Sequence, residues 1–384
     1  MPGHAFPDIV PVLGDGRVTL RALREDDLVA VVEQSNDPET VRWTTVPQPY
    51  GADDARDFLA LHARAWSDER GDRLWAIEAE TVPGAAPRFS GLVDLRQGRT
   101  PAMAWSCGFA LHPAARGCGV MSAALRLAAR WSFEQGAPRV YWEAAVGNWA
   151  SRRVAWACGF TVHATLPSSV PVRDGVADGW IGSVGPHDDL TRPARPWLVA
   201  PTLTGAGLRL REWRTSDLEA VEEREHPEHW TPSSTLRPAN ADEWLTRTWE
   251  GAAEGTSVTW CVADEASDRA LGYVAVFRRD GATLGAGDDA ELGYTVFPSA
   301  RGRGVAAASV AVRRILGRRR IHRNHGVPHG VGHARAARPR HLVGRSEQRN
   351  RLATRRRSRR VVREHAHPRR DAGVGVADPV RHRR

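Results

Sequence analysis

The pattern of apolar and polar positions in the first half of the chain predicts a mixed α/β unit. Short alternating runs bounded by Gly or Pro predict strands, whereas apolar residues three and four positions apart predict helices. The predicted strands are Val18–Arg21, Leu74–Glu80, Phe89–Arg96, Met103–Leu111, Val140–Ala145, Phe160–Ala164 and Trp180–Val184. The predicted helices run from Asp26 or Asp27 to about Ser35, over Ala52–Ser67, over Gly119–Gln135 and from Asn148 to Gly159. In this order, one strand–loop–helix unit lies in the middle of the first half of the chain.

Two segments of the chain recur in the same order further along. Val18–Val31 returns as Leu208–Val221 with seven identical residues, at an offset of 190. Pro113–Val120 returns as Pro298–Val305, at an offset of 185. Two matches in the same order and at nearly the same offset predict a duplicated domain. The Pro-containing stretch Gly185–Thr204 is the predicted linker between the two copies.

The duplication divides the chain into four predicted segments. These are a complete first copy at residues 1–184, a linker at 185–204, an incomplete second copy at 205–316 and a tail at 317–384. The second copy is expected to be incomplete because the sequence after Leu316 offers neither a partner strand nor an Asn-capped helix. We expect residues 1–190 to fold and bind their ligand alone.

Charge is distributed very unevenly between the tail and the rest of the chain. Residues 317–384 hold 21 Arg against four Asp and Glu, a formal charge of +17, which leaves −8 for residues 1–316 out of a total of +9. All fifteen Trp, and every Phe and Tyr, precede the tail. A segment without large apolar residues cannot bury enough surface to fold, so the tail is predicted to be disordered, without helix or sheet. Two origins stay open: a reading-frame shift, or a genuine basic arm that binds nucleic acid by neutralising phosphates.

Several classes of protein are disfavoured by composition. No apolar run reaches the roughly 18 residues that cross a bilayer, and the N-terminus has no basic start followed by an apolar stretch. The four Cys residues are scattered and form no metal-ligand pair. The sequence therefore predicts a cytoplasmic protein with reduced cysteines, no metal and no membrane partner.

Glycines at the end of a predicted strand form the strongest chemical signal. The strand that ends at Leu111 leads into Arg116–Met121, where a helix begins, and Arg301–Ala306 repeats the arrangement in the second copy. Converging backbone N–H groups and the helix dipole at such a junction favour a diphosphate. The candidate binding residues are Arg116, Gly117, Cys118, Gly119, Val120 and Met121, with Arg301, Gly302, Arg303, Gly304, Val305 and Ala306 in the second copy. A plain strand-to-helix turn is the alternative.

A second segment, taken together with the glycine loop, resembles a known family. Gly147–Phe160 contains G-N-x-x-S-x-R-V followed by G-F, and together with Arg116–Met121 it resembles the GNAT superfamily of acetyl-CoA-dependent N-acetyltransferases. The repeated L-R-x-[LW]-R-x-x-D-L opening is similar to the ribosomal-protein-alanine N-acetyltransferase branch. The resemblance covers about residues 18–184 and 208–316. It implies two tandem domains, each a mixed, mostly antiparallel sheet flanked by helices, and acetyl-CoA as the co-substrate. Met121 departs from the Gly or Ala usual at its position.

The resemblance also implies roles for particular residues. The strand Trp105–Leu111 would splay from Val140–Ala145 and expose backbone groups to the pantetheine arm, with Phe109 and Leu111 as candidate contacts. A backbone N–H near Phe109 or Ala110 would stabilise the oxyanion. Asn148 would seat coenzyme A, and Ser151 would protonate the departing thiolate. Plain helix capping is the alternative for both of these side chains.

Three groups are candidates for the general base. The second copy has Glu291 where the first has Ser106, so the first copy lacks a carboxylate in that strand. Glu143 and Asp94 are the candidate substitutes, and bulk water competes with both. Trp43, Trp142 and Trp149 either shape an acceptor pocket or pack in the core.

These features predict an enzyme that moves an acetyl group from acetyl-CoA to a primary amine, with the chemistry in the first copy. The acceptor is a peptide N-terminus or a small amine, and the charge of −8 favours a cationic one. The alternative is a catalytically degenerate tandem protein that binds nucleic acid through its basic tail.

Overall fold

The computed structural model describes residues 9–100, 102–223, 236–278, 281–284, 289–310 and 320–322, which form two sheets. The first sheet has the strand order β1-β2-β3-β4-β5-β6-β8-β7. Its strands are β1 (Leu13–Gly14), β2 (Val18–Arg21), β3 (Arg73–Ala79), β4 (Arg88–Arg96), β5 (Trp105–Leu111), β6 (Val140–Ala145), β7 (Thr161–Val172) and β8 (Gly175–Val184). Neighbouring strands are antiparallel except β5 and β6, which are parallel. The predicted mixed, mostly antiparallel sheet is confirmed.

Helices cover both faces of the first sheet. They are α1 (Leu28–Asn36), α2 (Pro38–Trp43), α3 (Ala52–Ala65), α4 (Val120–Glu134) and α5 (Trp149–Ala157). On one face, α4 and α5 bury side chains against Trp75, Val93 and Leu95. On the other face, α1 and α3 pack against Leu74 and Leu92. Alternate residues of β4 therefore face opposite layers, as the pleat of a strand requires.

The second sheet repeats the strand succession of the first. Its order is β14-β13-β12-β11-β10-β9, with the parallel pair again between the fifth and sixth strands. The strands are β9 (Leu203–Gly205), β10 (Leu208–Arg211), β11 (Ser257–Asp264), β12 (Ala270–Phe277), β13 (Asp289–Val296) and β14 (Arg320–His322), and the helices are α6 (Ala241–Ala253) and α7 (Val305–Val310). The duplication predicted from the two repeated segments thus corresponds to two sheets of the same topology.

One prediction about the second copy is wrong. Arg320–His322 forms β14, which pairs in parallel with β13 through the register Ala290↔Ile321, so the partner strand is present within the predicted tail. An edge strand needs backbone pairing over only a few residues, and an Arg-rich segment can supply that without an apolar pattern. The rest of the predicted disordered tail lies outside the described residues, and so does the basic arm proposed to bind nucleic acid.

The motif repeated near the start of each copy forms a buried ion pair between an Arg and an Asp. Arg21 donates two hydrogen bonds to Asp27, at 2.7 and 2.9 Å, and both side chains are buried. The other copy reproduces the pair as Arg211 and Asp217, at 2.7 and 2.8 Å. Each Asp also accepts a backbone N–H at the start of the following helical turn. A bidentate pair that is buried and hydrogen-bonded ties the second strand of each sheet to the turn that follows it.

The first copy departs from the predicted elements in three respects: β1 and α2 were not predicted, and the hairpin of β7 and β8 is longer than predicted. Helix α2 has only six residues and begins at Pro38, with the side chain of Asp37 as its N-cap. The last two strands extend as a long hairpin to a turn near Arg173, whose guanidinium donates a 2.6 Å hydrogen bond to the carbonyl of Val46. Most of β7 is exposed, so it lacks the alternation that would reveal a half-buried strand.

Candidate active site

A gap opens between the two parallel strands in the middle of the first sheet. β5 and β6 pair only at Trp105↔Val140 and Ser106↔Tyr141, whereas β4 pairs with β5 all the way to Leu111. Beyond Ser106 the two strands diverge. The backbone edge of β5 from Cys107 to Leu111 therefore faces the gap, which we call the splay. This splayed arrangement matches the expectation drawn from the resemblance.

The direction of the backbone groups along the splay follows from two hydrogen bonds. The N–H of Trp105 donates to the carbonyl of Arg139 on the β6 side, and the N–H of His112 donates to Ser90 on the β4 side. Successive N–H groups of a strand point to opposite edges. The N–H groups of Phe109 and Leu111 therefore point into the splay, and that of Ala110 points away from it.

The predicted diphosphate loop lies between β5 and α4. Gly117 and Gly119 adopt φ of 76° and 74°, a left-handed conformation that residues with a Cβ rarely adopt. Gly119 is the N-cap of α4, and Arg17 donates a hydrogen bond to the carbonyl of Cys118. The loop thus presents backbone N–H groups beside the N-terminus of the long helix α4, a combination that favours the binding of an anion. Val120 and Met121 belong to the core instead, which explains how Met121 can replace a smaller residue.

The side chain of Arg116 has a partner within the protein. It donates to both oxygens of Asp37 at 2.5 and 3.3 Å, and this guanidinium holds the pKa of Asp37 below its ordinary value. Asp37 is the N-cap of α2. Sequence reasoning missed this pair, because residues 79 positions apart carry no local signal. Arg116 therefore connects the predicted diphosphate loop to α2, and in this arrangement the loop offers backbone groups more readily than its Arg side chain.

Asn148 and Ser151 meet at the start of α5. The Asn148 side chain caps the helix by accepting the N–H of Ser151 at 3.1 Å. The Ser151 hydroxyl accepts a 2.9 Å hydrogen bond from the indole N–H of Trp142, a buried residue of β6. An indole can only donate, so this bond leaves the hydroxyl's own proton free to be donated elsewhere. Trp142 thus orients Ser151 rather than forming the wall of an acceptor pocket.

Asp94 lies on the opposite face of the sheet from Ser151. It shares the α1–α3 face with Leu92 and pairs in register with Gly108 of β5. A Cβ on Gly108 would lie 2.5 Å from Asp94 Oδ1, so the missing side chain provides the space for this carboxylate. Asp94 therefore lies beside the strand whose other edge forms the splay.

The electrostatic environment of Asp94 sets its proton affinity. Burial raises its pKa to about 6, and the nearby charge of Asp72 adds to the increase, whereas Arg96 opposes it. The Arg96 Nε lies 2.9 Å from Oδ2, and 15% of the Asp94 side chain is exposed. A partly accessible carboxylate with this pKa is ionised at neutral pH and accepts a proton more readily than an ordinary Asp.

Glu143, the other candidate base, lies on β6 and is exposed. Extending the pairing of Ser106 with Tyr141 by two residues places Glu143 level with Gly108, on the same face as Asp94. The two carboxylates therefore flank the splay from the two strands that adjoin β5. With neighbouring strands about 4.8 Å apart, their backbones lie roughly 10 Å or more from each other.

The second copy carries its carboxylate on a different strand. Gly293 pairs with Ala275, so Ala275 occupies the position of Asp94, while Glu291 occupies that of Ser106. Its loop residues Gly302 and Gly304 have φ of 74° and 75°. The backbone of the predicted second diphosphate loop thus repeats the first, and Arg301 and Arg303 are exposed there. Val305 is buried and Ala306 packs against the core of the second sheet.

Metal-binding groups and membrane-spanning helices are both absent from the described part of the chain. Within it, no group of three or more His, Cys, Asp or Glu side chains is placed to hold a metal ion. Among the same residues, none of the helices is both long and apolar enough to span a bilayer.

Several solved acetyltransferase structures match about half of this chain. RimJ of Mycobacterium smegmatis in complex with CoA-disulfide is 16% identical over 47% of this chain and 89% of its own, with a TM-score of 0.41. RimL, the ribosomal L7/L12 alpha-N-protein acetyltransferase in complex with coenzyme A, is 18% identical over 46% and 97%, with a TM-score of 0.40. A GNAT-family acetyltransferase of Bacillus anthracis is 14% identical over 46% and 100%, with a TM-score of 0.40. No curated protein matches the chain.

The sequence itself matches one family model twice. The acetyltransferase (GNAT) domain model covers residues 17–161 and again residues 207–325, which is more than half of the chain and includes both predicted diphosphate loops. The second match extends through β14, in agreement with the partner strand found there. The chain belongs to the acetyltransferase (GNAT) family and is an acyltransferase with two tandem copies of the GNAT domain.

Proposed function

We propose that the first copy transfers the acetyl group of acetyl-CoA to a primary amine by direct attack. The observation that carries this proposal is the splay between β5 and β6. The glycine loop at the N-terminus of α4 lies on one side of the splay, and the Asn-capped N-terminus of α5 lies on the other. An extended pantetheine arm pairs with a free strand edge, and a diphosphate suits the helix N-terminus. The N–H of Leu111 would contact the arm, the N–H of Phe109 the thioester carbonyl, and the amides of Gly117 to Met121 the diphosphate.

The two faces of the sheet divide the chemistry. Ser151 lies on the α4–α5 face, whereas Asp94 and Glu143 lie on the α1–α3 face. The thioester would lie in the splay between them, so the amine would approach from the carboxylate side and the sulfur would leave on the serine side. The amine would add to one face of the planar thioester carbonyl, and the sulfur would leave from the resulting tetrahedral intermediate toward Ser151.

The reaction needs three proton or charge transfers. The amine nitrogen forms a bond to the carbonyl carbon while Asp94 takes the amine proton, and the oxyanion accepts the N–H of Phe109. The C–S bond then breaks, and the electron pair leaves with the sulfur. The Ser151 hydroxyl, oriented by Trp142, donates its proton to that sulfur and regains one from water. Asp94 is preferred to Glu143 because it lies beside Gly108 and because burial raises its pKa to about 6.

The charges on the α1–α3 face, from which the amine would approach, favour a cationic amine. Asp94 and Glu143 lie on that face, and α2 adds Glu39 next to Trp43, whose ring lies 3.3 Å from where a Cβ on Gly147 would be. These charges support a cationic acceptor, which is either a peptide N-terminus or a small amine. Trp43 contacts the β6–α5 junction, so α2 forms one side of the entrance to the splay.

Ser151→Ala tests the role of the hydroxyl. We expect kcat to fall about tenfold to a hundredfold with little change in the KM for acetyl-CoA, because the hydroxyl acts on the departing sulfur in the transition state. Steady-state kinetics together with thermal melting checks this. A stability change without a loss of kcat would show that the hydroxyl serves only the structure around Trp142. The proposal as a whole fails if the folded chain does not bind acetyl-CoA in calorimetry.

A further inference from the structure

Helix α5 is held between two surfaces of the protein. Its Ser151 side faces β6, where Trp142 donates to the hydroxyl. Its Arg152 side faces α6 of the second copy. Because residues 149 and 152 lie three apart on a helix, Trp149 and Arg152 share the face that meets the second copy. The helix that begins with Asn148 and Ser151 therefore depends on contacts from both copies.

Arg152 is a buried cation whose counter-charges come from the other copy. Only 2% of its side chain is exposed. Its Nη2 donates a 3.2 Å hydrogen bond to Glu254, and its Nη1 lies 3.7 Å from Glu250. The guanidinium also lies 4.4 Å from the centre of the Trp180 ring. Removing the partners of a buried charge is costly, since the charge is then left without compensation.

Glu250 binds the first copy at a second point. Its Oε1 accepts a 2.6 Å hydrogen bond from the indole of Trp180, a fully buried residue of β8. β8 pairs with β6 through Ala144↔Trp180, so Trp180 is adjacent to the strand that carries Trp142. One carboxylate of the second copy thus contacts both α5 and the strand next to β6.

Aromatic rings surround the first residue of α5. The Trp149 ring lies 4.6 Å from Trp180, 5.7 Å from Trp249 and 6.4 Å from Trp197, between ring centres. Trp249 belongs to α6, and Trp197 to the segment that joins the two sheets. Contacts at these separations are typical of favourable edge-to-face pairs. The N-terminus of α5 is therefore fixed by apolar packing as well as by charge.

We propose that the second copy braces the active site of the first: Glu250 and Glu254 hold Arg152 and Trp180, and so fix α5 with Asn148 and Ser151 against β6. Arg152 and the two carboxylates are positioning residues. The proposal rests on the proposed function insofar as it assigns kinetic consequences to the orientation of α5. It gives the second copy a role that requires no catalysis of its own. It also implies that residues 1–190 alone, which the sequence predicts to fold, would bind acetyl-CoA more weakly than the full chain.

Glu254→Gln in the full chain tests the brace, with Glu243→Gln as the matched control. Glu243 lies in α6 and Glu254 is the C-cap of that helix, and each forms one ion pair, but Glu243 pairs with Arg247 on the exposed surface. We expect amide hydrogen exchange in α5 to accelerate about tenfold and kcat to fall by about the same factor in the first variant. Exchange and kcat should stay unchanged in the control.

A double-mutant cycle separates positioning from general destabilisation. If Glu254 acts through the orientation of Ser151, Glu254→Gln should lower kcat much less in a Ser151→Ala background than in the wild type. Equal losses of kcat in both backgrounds would overturn the assignment to Ser151. Should the wild type acetylate no amine at all, the proposed function fails, and hydrogen exchange of α5 still decides whether the brace exists.

A stronger variant covers the case in which the single change is too mild. The pair Glu250→Gln and Glu254→Gln removes both counter-charges, and adding Arg152→Met removes the charge that would otherwise be left unpaired. This triple variant should fold and show rapid α5 exchange with reduced kcat. A folded triple variant with wild-type exchange and wild-type kcat would overturn the proposal.

Discussion

Replacing Asp94 with Asn in the full chain is expected to lower kcat/KM at neutral pH by about two to three orders of magnitude. The amine must lose a proton as it attacks, and an amide cannot accept one. In the wild type, kcat/KM should rise with pH through the pKa of Asp94, near 6. The Asn variant should lack this acidic limb. A pH–rate profile of both proteins with one amine acceptor is the measurement.

The same substitution should make the protein more stable. Burial raises the pKa of Asp94 from 3.8 to about 6, so the ionised carboxylate is disfavoured in the folded state. The protonated carboxyl contributes its stability fully below about pH 4, and this contribution is lost as the pH rises through 6. Asn stays neutral, so the variant should gain up to about 3 kcal/mol at pH 7 and nothing near pH 4. Urea unfolding at the two pH values measures the difference.

Glu143→Gln is the matched comparison for the base. Glu143 lies on the same face of the sheet but is exposed, so its replacement should lower kcat/KM far less than that of Asp94, and only through the lost attraction for a cationic acceptor. If Glu143→Gln removes the activity while Asp94→Asn keeps wild-type rates, the assignment is reversed. A gain in stability together with a loss of activity is the combination that distinguishes a functional carboxylate from a structural one.

Gly119→Val should weaken acetyl-CoA binding by about a hundredfold. Gly119 has φ of 74°, which is strained for any residue with a branched Cβ. A Cβ there would meet Arg17 at 3.7 Å, an ordinary contact, so the protein itself has room for the side chain. The loss would come from strain and from a side chain occupying the space where the diphosphate approaches the loop amides, together about 2–3 kcal/mol. Titration calorimetry measures the affinity directly.

Gly304→Val in the second copy is the control for this change. Its φ is 75°, and no atom of the described residues lies within 4 Å of the added Cβ, so the backbone strain is equivalent. We expect it to destabilise the protein to a similar extent while leaving the acetyl-CoA affinity of the first copy unchanged. If both variants bind acetyl-CoA like the wild type, the diphosphate site lies elsewhere.

The sequence predicted the elements that carry a strong period or a repeated motif. The strands around the splay, the long α4 and the Asn-capped α5 lie where the alternation, the helical spacing and the cap residues placed them. The glycine loop was predictable because a left-handed backbone at a strand-to-helix junction leaves glycine as the suitable residue. In the sequence, Arg21 and Asp27 were visible only as part of a repeat. Their contacts in the structure show that they form a buried ion pair.

The residues that sequence reasoning missed act across long sequence separations. Asp37 was not expected to pair with Arg116, and Gly108 was not expected to make room for Asp94. Glu250 and Glu254 come from the second copy, about a hundred residues after Arg152. None of these partners leaves a periodic or local pattern. The sequence limited the base to Asp94, Glu143 or water, and the burial of Asp94 beside the splay is what favours it.

Acetyl transfer itself is the most direct test of the central claim. The full chain is incubated with acetyl-CoA and, in turn, basic peptides with free N-termini, polyamines and aminoglycosides, and the release of free thiol is followed. The account predicts thiol release that depends on the amine, gives an acetylated acceptor by mass spectrometry and is strongly reduced by Asp94→Asn. Thiol release that needs no amine, or that persists unchanged when Asp94 and Gly119 are replaced, would contradict it.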